Sequence, residues 1–338
     1  MRLDLEQIKR ITTGAVRVEE EDNGFIFRRF TDEQSELYRI TSDAFYDRVL
    51  TTAGIRFMFR TNSKSLRLCV FVEKRTSRSY FSFDVYADGK AVGYIDNFSD
   101  VELPENYTEV ELSFGEYSKE FDLGCGDKTV CVYFPWSVLC WVRFVEIDDD
   151  AYIDPIKPSK KLLAFGDSIT QGYDALRPSG RYASLLADKL KAEEINKAIG
   201  GEKFFPALAE IADDISPDYV TVAYGTNDWS MTSEEDFKER CRKFYKTISE
   251  KYPNARIFAL TPVWRKDYQT EKIFGPFENV EKDICEAVSD LSNVTLICGY
   301  DLVPKDSKFY ADLRLHPNDA GFVHYAENLY KKIISSLE

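Results

Sequence analysis

Four short apolar runs govern what the second half of this chain can become: LLAF at 162–165, YVTVAYG at 219–225, RIFALTPV at 256–263 and VTLICG at 294–299. Each is shorter than an ordinary helix and lacks a polar face, as befits a strand buried on both sides. EEIN at 193–196 leads a further short strand. The stretches between carry a different period. Phe237, Cys241, Phe244 and Ile248 recur at helical spacing, with Thr232 and Glu235 placed for a capping box. Phe322, Ala326, Leu329 and Ile333 repeat that spacing near the end. Strands alternating with helices predict an α/β fold, a parallel sheet covered by helices. Ligands in such sheets bind beyond the carboxyl ends of the strands.

Residues 14 to about 150 follow another rule. GAVRVEEEDNGFIFRRF has two alternating segments flanking Asn23-Gly24, and YFSFDVYADGKAVGYI sets Asp88-Gly89 between two strand-like runs. IRFMFR at 55–60, LRLCVFVEK at 66–74, YTEVELSF at 107–114, TVCVYF at 129–134 and CWVRFVEI at 140–147 continue the series. Many short strands with turn signals predict an antiparallel β-sandwich of jelly-roll type. Residues 31–50 are less regular and include a helical turn. The organisation expected is a sandwich over 1–153, a Pro- and Lys-bearing linker over 154–160, and an α/β domain over 161–338.

The charge narrows the partners. Lys plus Arg number 44 and Asp plus Glu 58, a net charge of −14. Such a surface repels nucleic acid and anionic membranes, and neither is expected as a partner. No apolar stretch is long enough to span a bilayer, and the opening MRLDLEQIKRITTG lacks the core of a signal peptide. The seven cysteines are irregularly spaced with no CxxC pair, so free thiols and a cytoplasmic location are expected. With two histidines in all, a histidine-rich metal site is not expected, nor is any cofactor.

The first apolar run ends in GDSITQG, which places Ser168 just past the carboxyl end of a strand. Serine there is either a helix cap or a nucleophile; the GxSxG elbow is missing. Three further stretches fall at the same edge of the sheet: NKAIGG at 196–201, YGTND at 224–228 and DLRLHPND at 312–319. Serine, glycine, asparagine and histidine in this order resemble the SGNH (GDSL-type) hydrolase family over residues 161–338. The resemblance implies a three-layer, flavodoxin-like domain and a serine esterase without metal or cofactor. It implies Ser168 as nucleophile and His316 as base, with an oxyanion hole from the backbone N–H groups of Ser168 and Gly201 and the amide of Asn227. A sandwich ahead of such a domain resembles certain carbohydrate acetyl-esterases.

The chemistry asks for these residue types. A serine hydroxyl needs a base within hydrogen-bond reach, histidine titrates near neutrality, and ester attack creates a negative oxygen that must meet fixed donors. His324 lies within AGFVHYAENLYKK and reads as a structural helix residue, whereas His316 stands in a loop beside a proline. The family pattern puts an acid three residues before the histidine; here Leu313 holds that place and Asp312 is four before. Either Asp312 completes a triad through one extra loop residue, or a backbone carbonyl orients the ring of a dyad. Asp167 is read as bracing the nucleophile turn, and Asp228 and Asn196 as bracing loops. Trp229 and Trp264 follow two expected edge loops, where they either stack on a sugar ring or pack the seam between domains. The function expected is hydrolysis of short acyl esters, acetyl foremost, on a neutral carbohydrate or other small molecule. The alternatives are a lipase or thioesterase of the same fold, or a non-catalytic glycan-binding protein.

Overall fold

The computed structural model describes residues 1–337. Two antiparallel sheets occupy most of the first half. One holds five strands in the spatial order Arg17–Glu21, Gly24–Arg28, Val138–Ile147, Ser65–Lys74 and Gly115–Asp122. The other runs Thr12–Thr13, Arg56–Thr61, Lys128–Tyr133, Ser82–Ala87 and Lys90–Asp96, with Asp154–Pro155 added beside Arg56–Thr61. Alternate residues from both sheets meet in one core, centred on Phe27, Phe57, Phe83 and Phe134. Phe134 packs edge-on to the other three at 4.8–5.2 Å between ring centres, the geometry that aromatic quadrupoles favour.

The first hairpin turn lies one residue earlier than the dipeptide suggests. Glu21 pairs with Gly24, so Asp22 and Asn23 form the turn. Gly24 is needed for another reason: a Cβ there would sit 2.5 Å from the Val142 carbonyl oxygen of the neighbouring strand, and φ is +119°. Asp88-Gly89 does form a two-residue turn, with both residues left-handed as a type I′ turn requires. The run 107–114 is not a strand. It is a loop in which Leu112 donates its N–H to Ser79 Oγ, and the neighbouring strand is the charged segment Gly115–Asp122. Residues 31–50 form two full helices, Asp32–Thr41 and Asp43–Val49.

The second half holds a five-stranded parallel sheet in the order Ala192–Asn196, Lys160–Gly166, Tyr219–Ala223, Arg256–Leu260 and Val294–Ile297. Numbered along the chain this is 2-1-3-4-5, the flavodoxin-like order. Successive strand residues face opposite layers. Leu162 packs with the helices Tyr182–Leu190 and Asp319–Leu337, and Leu163 with Glu234–Lys251 and Glu278–Val288. The core on the Leu163 side also takes Phe30, Tyr38 and Val49 from the first half, so the two halves share buried surface. Among the described residues no helix is long and apolar enough to cross a membrane.

Candidate active site

The strand Lys160–Gly166 ends at Gly166, and Asp167 caps the single helical turn Ser168–Gln171 by accepting the Ile169 N–H at 3.0 Å. Because Asp167 is the cap, Ser168 is the first helical residue and its hydroxyl is released from capping. Ser168 Oγ lies 2.9 Å from His316 Nε2. The buried Asp167 has its pKa pushed up to about 6 by desolvation, against the pull of its N–H bonds.

His316 comes from the loop between Tyr310 and the last helix. Asp312 Oδ1 accepts the backbone N–H groups of Arg314, Leu315 and His316 at 2.9, 2.6 and 3.1 Å. The Ala311 N–H donates to the His316 carbonyl at 2.8 Å and closes the loop. Leu313 takes φ +57°, which absorbs the extra residue between acid and histidine. Asp312 Oδ2 is thereby left 2.9 Å from His316 Nδ1. The carboxylate fixes the tautomer: Nδ1–H donates to Asp312 and Nε2 faces the serine hydroxyl. Burial opposes ionisation of Asp312, but the His316 hydrogen bond and charge and the N–H donors of Leu315 and Arg314 outweigh it. Its pKa lies well below the usual carboxylate range. Burial likewise lowers the His316 pKa, yet the carboxylates of Asp174 and Asp312 more than offset this and the net shift is upward.

Gly200 and Gly201 turn directly after the second strand of the sheet. A Cβ on Gly200 would lie 2.6 Å from the Tyr173 ring, and Gly201 has φ +82°. The Gly200 N–H donates to Gln171 Oε1 at 2.7 Å, whereas the N–H groups of Gly201 and Ser168 have no acceptor among the described residues. Asn227, in the helix Thr226–Met231, donates one amide hydrogen to the Glu202 carbonyl at 3.0 Å and keeps the other. Asn196 spans the Thr170 carbonyl and the Ala198 N–H, and Asp228 accepts from the Phe204 N–H, so both hold loops.

Two expected contacts do not reach a substrate. Trp229 is fully buried, donates Nε1–H to the Gly275 carbonyl and packs edge-on to Phe277. Trp264 is 9 % exposed and packs on Tyr310. Neither has a free face for a sugar, because Gly275 and Phe277 cover Trp229 and Tyr310 covers Trp264. His324 is exposed on the last helix with its ring against Phe309.

Sequence spacing alone does not reveal several neighbours. Tyr173 stacks on the His316 ring at 5.9 Å, and Arg48 donates Nε–H to the Tyr173 hydroxyl at 3.0 Å. Asp174 Oδ2 lies 3.3 Å from His316 Nδ1. Asp174, Asp312 and His316 offer donor atoms within 4.8 Å of one another. A cation there would compete with Arg78, which already pairs with Asp174, and with the proton on Nδ1, so the set is poorly suited to a metal. A cavity of 560 Å³, bordered by Pro262, Phe277, Glu281, Leu296 and Cys298, lies at the same sheet edge and is not lined by Ser168 or His316.

The fold defines a class: a β-sandwich joined to a flavodoxin-like α/β domain, the architecture of SGNH-type folds. Residues 164–322 match the model of the GDSL-like Lipase/Acylhydrolase family. Among solved structures, the salicylyl-acyltransferase SsfX3 from a tetracycline biosynthetic pathway superposes with a TM-score of 0.78 at 19 % identity, covering 96 % of this chain and 94 % of that one. A putative GDSL-like lipase from Bacteroides ovatus gives 0.75 at 21 % identity, covering 98 % and 96 %. A carbohydrate esterase family 2 enzyme from Corynascus thermopiles (Myceliophthora fergusii), with its carbohydrate binding domain, gives 0.62 at 21 % identity, covering 85 % and 95 %. No curated protein matches the chain.

Proposed function

We propose that the protein is a serine esterase that cleaves short acyl esters, acetyl foremost, from carbohydrates or similar small alcohols. The observation that carries this is the chain of 2.9 Å contacts from Ser168 Oγ to His316 Nε2 and from His316 Nδ1 to Asp312. In this reading Ser168 Oγ attacks the ester carbonyl while its proton passes to Nε2. The carbonyl electron pair moves to oxygen, which meets the N–H groups of Ser168 and Gly201 and the free amide hydrogen of Asn227. Collapse expels the alkoxide, which takes the proton from Nε2, and leaves an acyl-serine. Water, deprotonated by the same nitrogen, then releases the acid.

The short acyl group is supported by the Tyr173 ring stacked on His316 and by Arg48 beside Gly201, which crowd the site. The carbohydrate part rests on the likeness in fold to carbohydrate esterases, since the two tryptophans offer no stacking face. The test is kcat/KM across acetyl to octanoyl esters and across acetylated mono- and oligosaccharides. Acetyl esters should turn over fastest. Ser168→Ala should lower turnover by a factor of about 10⁴ or more. Near-normal turnover in that variant would remove Ser168 from the mechanism, and faster octanoyl hydrolysis would favour a lipase.

A further inference from the structure

The short helix of Ser168 is followed by a tight bend at Tyr173–Asp174. Asp174 is fully buried and has φ +73°. Its carboxylate faces the same ring nitrogen of His316 that Asp312 faces, at 3.3 Å. Its other partners all come from the sandwich half. Arg78 grips both oxygens, Nε at 2.5 Å and Nη2 at 3.0 Å. The Tyr80 hydroxyl donates to Oδ1, and the Tyr107 hydroxyl donates to the Asp174 carbonyl at 2.7 Å. An ion pair that served only to join the halves would have no reason to lie against the histidine.

We propose that Asp174 is a second positioning residue for His316, a carboxylate held on the Nδ1 side by Arg78 and Tyr80 of the sandwich. This rests on the reading of Ser168 and His316 as nucleophile and base. When the Ser168 O–H bond breaks and the Nε2–H bond forms, a positive charge appears on the ring. Before that step the buried group of two carboxylates, Arg78 and a neutral imidazole carries one net negative charge; afterwards it is neutral. Proton transfer therefore relieves the charge imbalance, and the sandwich supplies one of the four members.

The charged and titratable groups around the ring are Asp312 from its own loop, Asp174 from the bend, Asp167 beneath the nucleophile and Arg78 from the sandwich, with Tyr80 and Tyr107 bonded to Asp174 and the Tyr173 ring stacked above. Asp174 and Asp312 favour the protonated imidazole and Arg78 opposes it. Removing the charge of Asp174 and removing that of Arg78 should thus move His316 in opposite directions.

The chain has only two histidines, so in a His324→Gln background the imidazole proton signals in an NMR titration belong to His316. Asp174→Asn should lower the titration midpoint by at least about one pH unit, since a unit charge at this distance contributes that much even with the screening of bulk water. The acid limb of kcat/KM should move with it, and kcat should fall more than KM rises. Asparagine tolerates a left-handed backbone, so the bend is kept. Arg78→Gln, on the other half of the molecule, should raise the midpoint, and it carries the test if the Asp174 variant does not fold. An unchanged midpoint in Asp174→Asn, or a shift of the same sign in both variants, overturns the proposal. The titration needs no turnover. Survival of activity in Ser168→Ala would overturn the assignment of the nucleophile and leave the titration result standing.

Discussion

Replacing Asp312 by Asn tests how the histidine is oriented, and the structure sets the size of the effect. Oδ1 of Asp312 accepts three backbone N–H groups, and Oδ2 faces His316 Nδ1. In the Asn variant the single side-chain oxygen stays with the three donors, and the amide NH₂ turns to Nδ1. Unless Asp174 on the same side takes over the Nδ1 proton, that nitrogen then accepts, the ring proton moves to Nε2, and the base no longer takes the proton of Ser168. A full tautomer block costs about 10⁴ in rate, or about 5.4 kcal/mol. The amide has one escape, a half-turn that brings its oxygen to Nδ1 and sets NH₂ against three N–H groups. Forfeiting three hydrogen bonds at roughly 1 kcal/mol each populates that rotamer in about one molecule in 150. The loss in kcat/KM should therefore fall between about 10² and 10⁴, with little change in Tm, measured on an activated acetate ester alongside thermal melts. Asp312→Ala should lose activity and also Tm, because the loop loses its three acceptor contacts. A loss below about tenfold in Asp312→Asn would refute the reasoning and assign ring orientation to other groups. Since Asp312 is held ionised well below the usual carboxylate range, the acid limb of the wild-type profile should belong to His316 and lie above the ordinary histidine value.

Asn227→Ala should raise the barrier by about 2.7–4 kcal/mol, with the loss in kcat; an effect confined to KM would make Asn227 a substrate contact instead. Burial pushes the Glu202 pKa up to about 8, against hydrogen bonds from Tyr38 and Tyr224. Its unfolded value is near 4.3, so the folded protein holds the extra proton. The associated stability is full below that value and is lost as pH rises towards 8. Melts across this window should show Tm declining with pH, and Glu202→Gln should flatten the decline; an unchanged slope would count against it.

The parallel sheet was legible because its strands are buried on both faces, so apolar runs such as LLAF and RIFAL stand out from the helical stretches between them. The candidate site was legible for a related reason: Ser168, Gly201 and Asn227 follow strands of that sheet, and His316 stands in the loop before the last helix. Other features left weaker marks. The strand Gly115–Asp122 is charged and exposed along most of its length, so its pairing with Ser65–Lys74 shows no apolar alternation. The segment 107–114 alternates because Val110 and Leu112 cover a small cluster around Tyr80 and Trp136, without any ladder partner. The helix Asp32–Thr41 is capped by Thr31 and amphipathic, but its apolar face, like that of Asp43–Val49, is completed by the distant core of the α/β half. Trp229 looked like an edge residue by position, and only the fold of Gly275 and Phe277 over it makes it core. Asp174 and Arg78 are separated by 96 residues, and no local pattern ties one to the other.

The geometry of the Gly201 loop follows from contacts on both sides of the domain seam. From the hydrolase side, Gln171 holds the Gly200 N–H, and Asn196 holds the Ala198 N–H. From the sandwich side, buried Arg29 donates to the carbonyls of Asn196 and Ala198, while its other hydrogens go to the Thr51 and Arg48 carbonyls. Tyr38 reaches across to Glu202, the residue after Gly201, whose carbonyl receives Asn227. A buried guanidinium is costly unless its donors are matched, and here Nη1 is matched by two carbonyls of the very loop that carries the free Gly201 N–H. Two of the three proposed oxyanion donors therefore depend on residues 29–38 for their position. Arg78 and Tyr80 place the sandwich on the histidine side in the same way. The first half of the chain thus acts on both ends of the candidate site without contributing the nucleophile or the base.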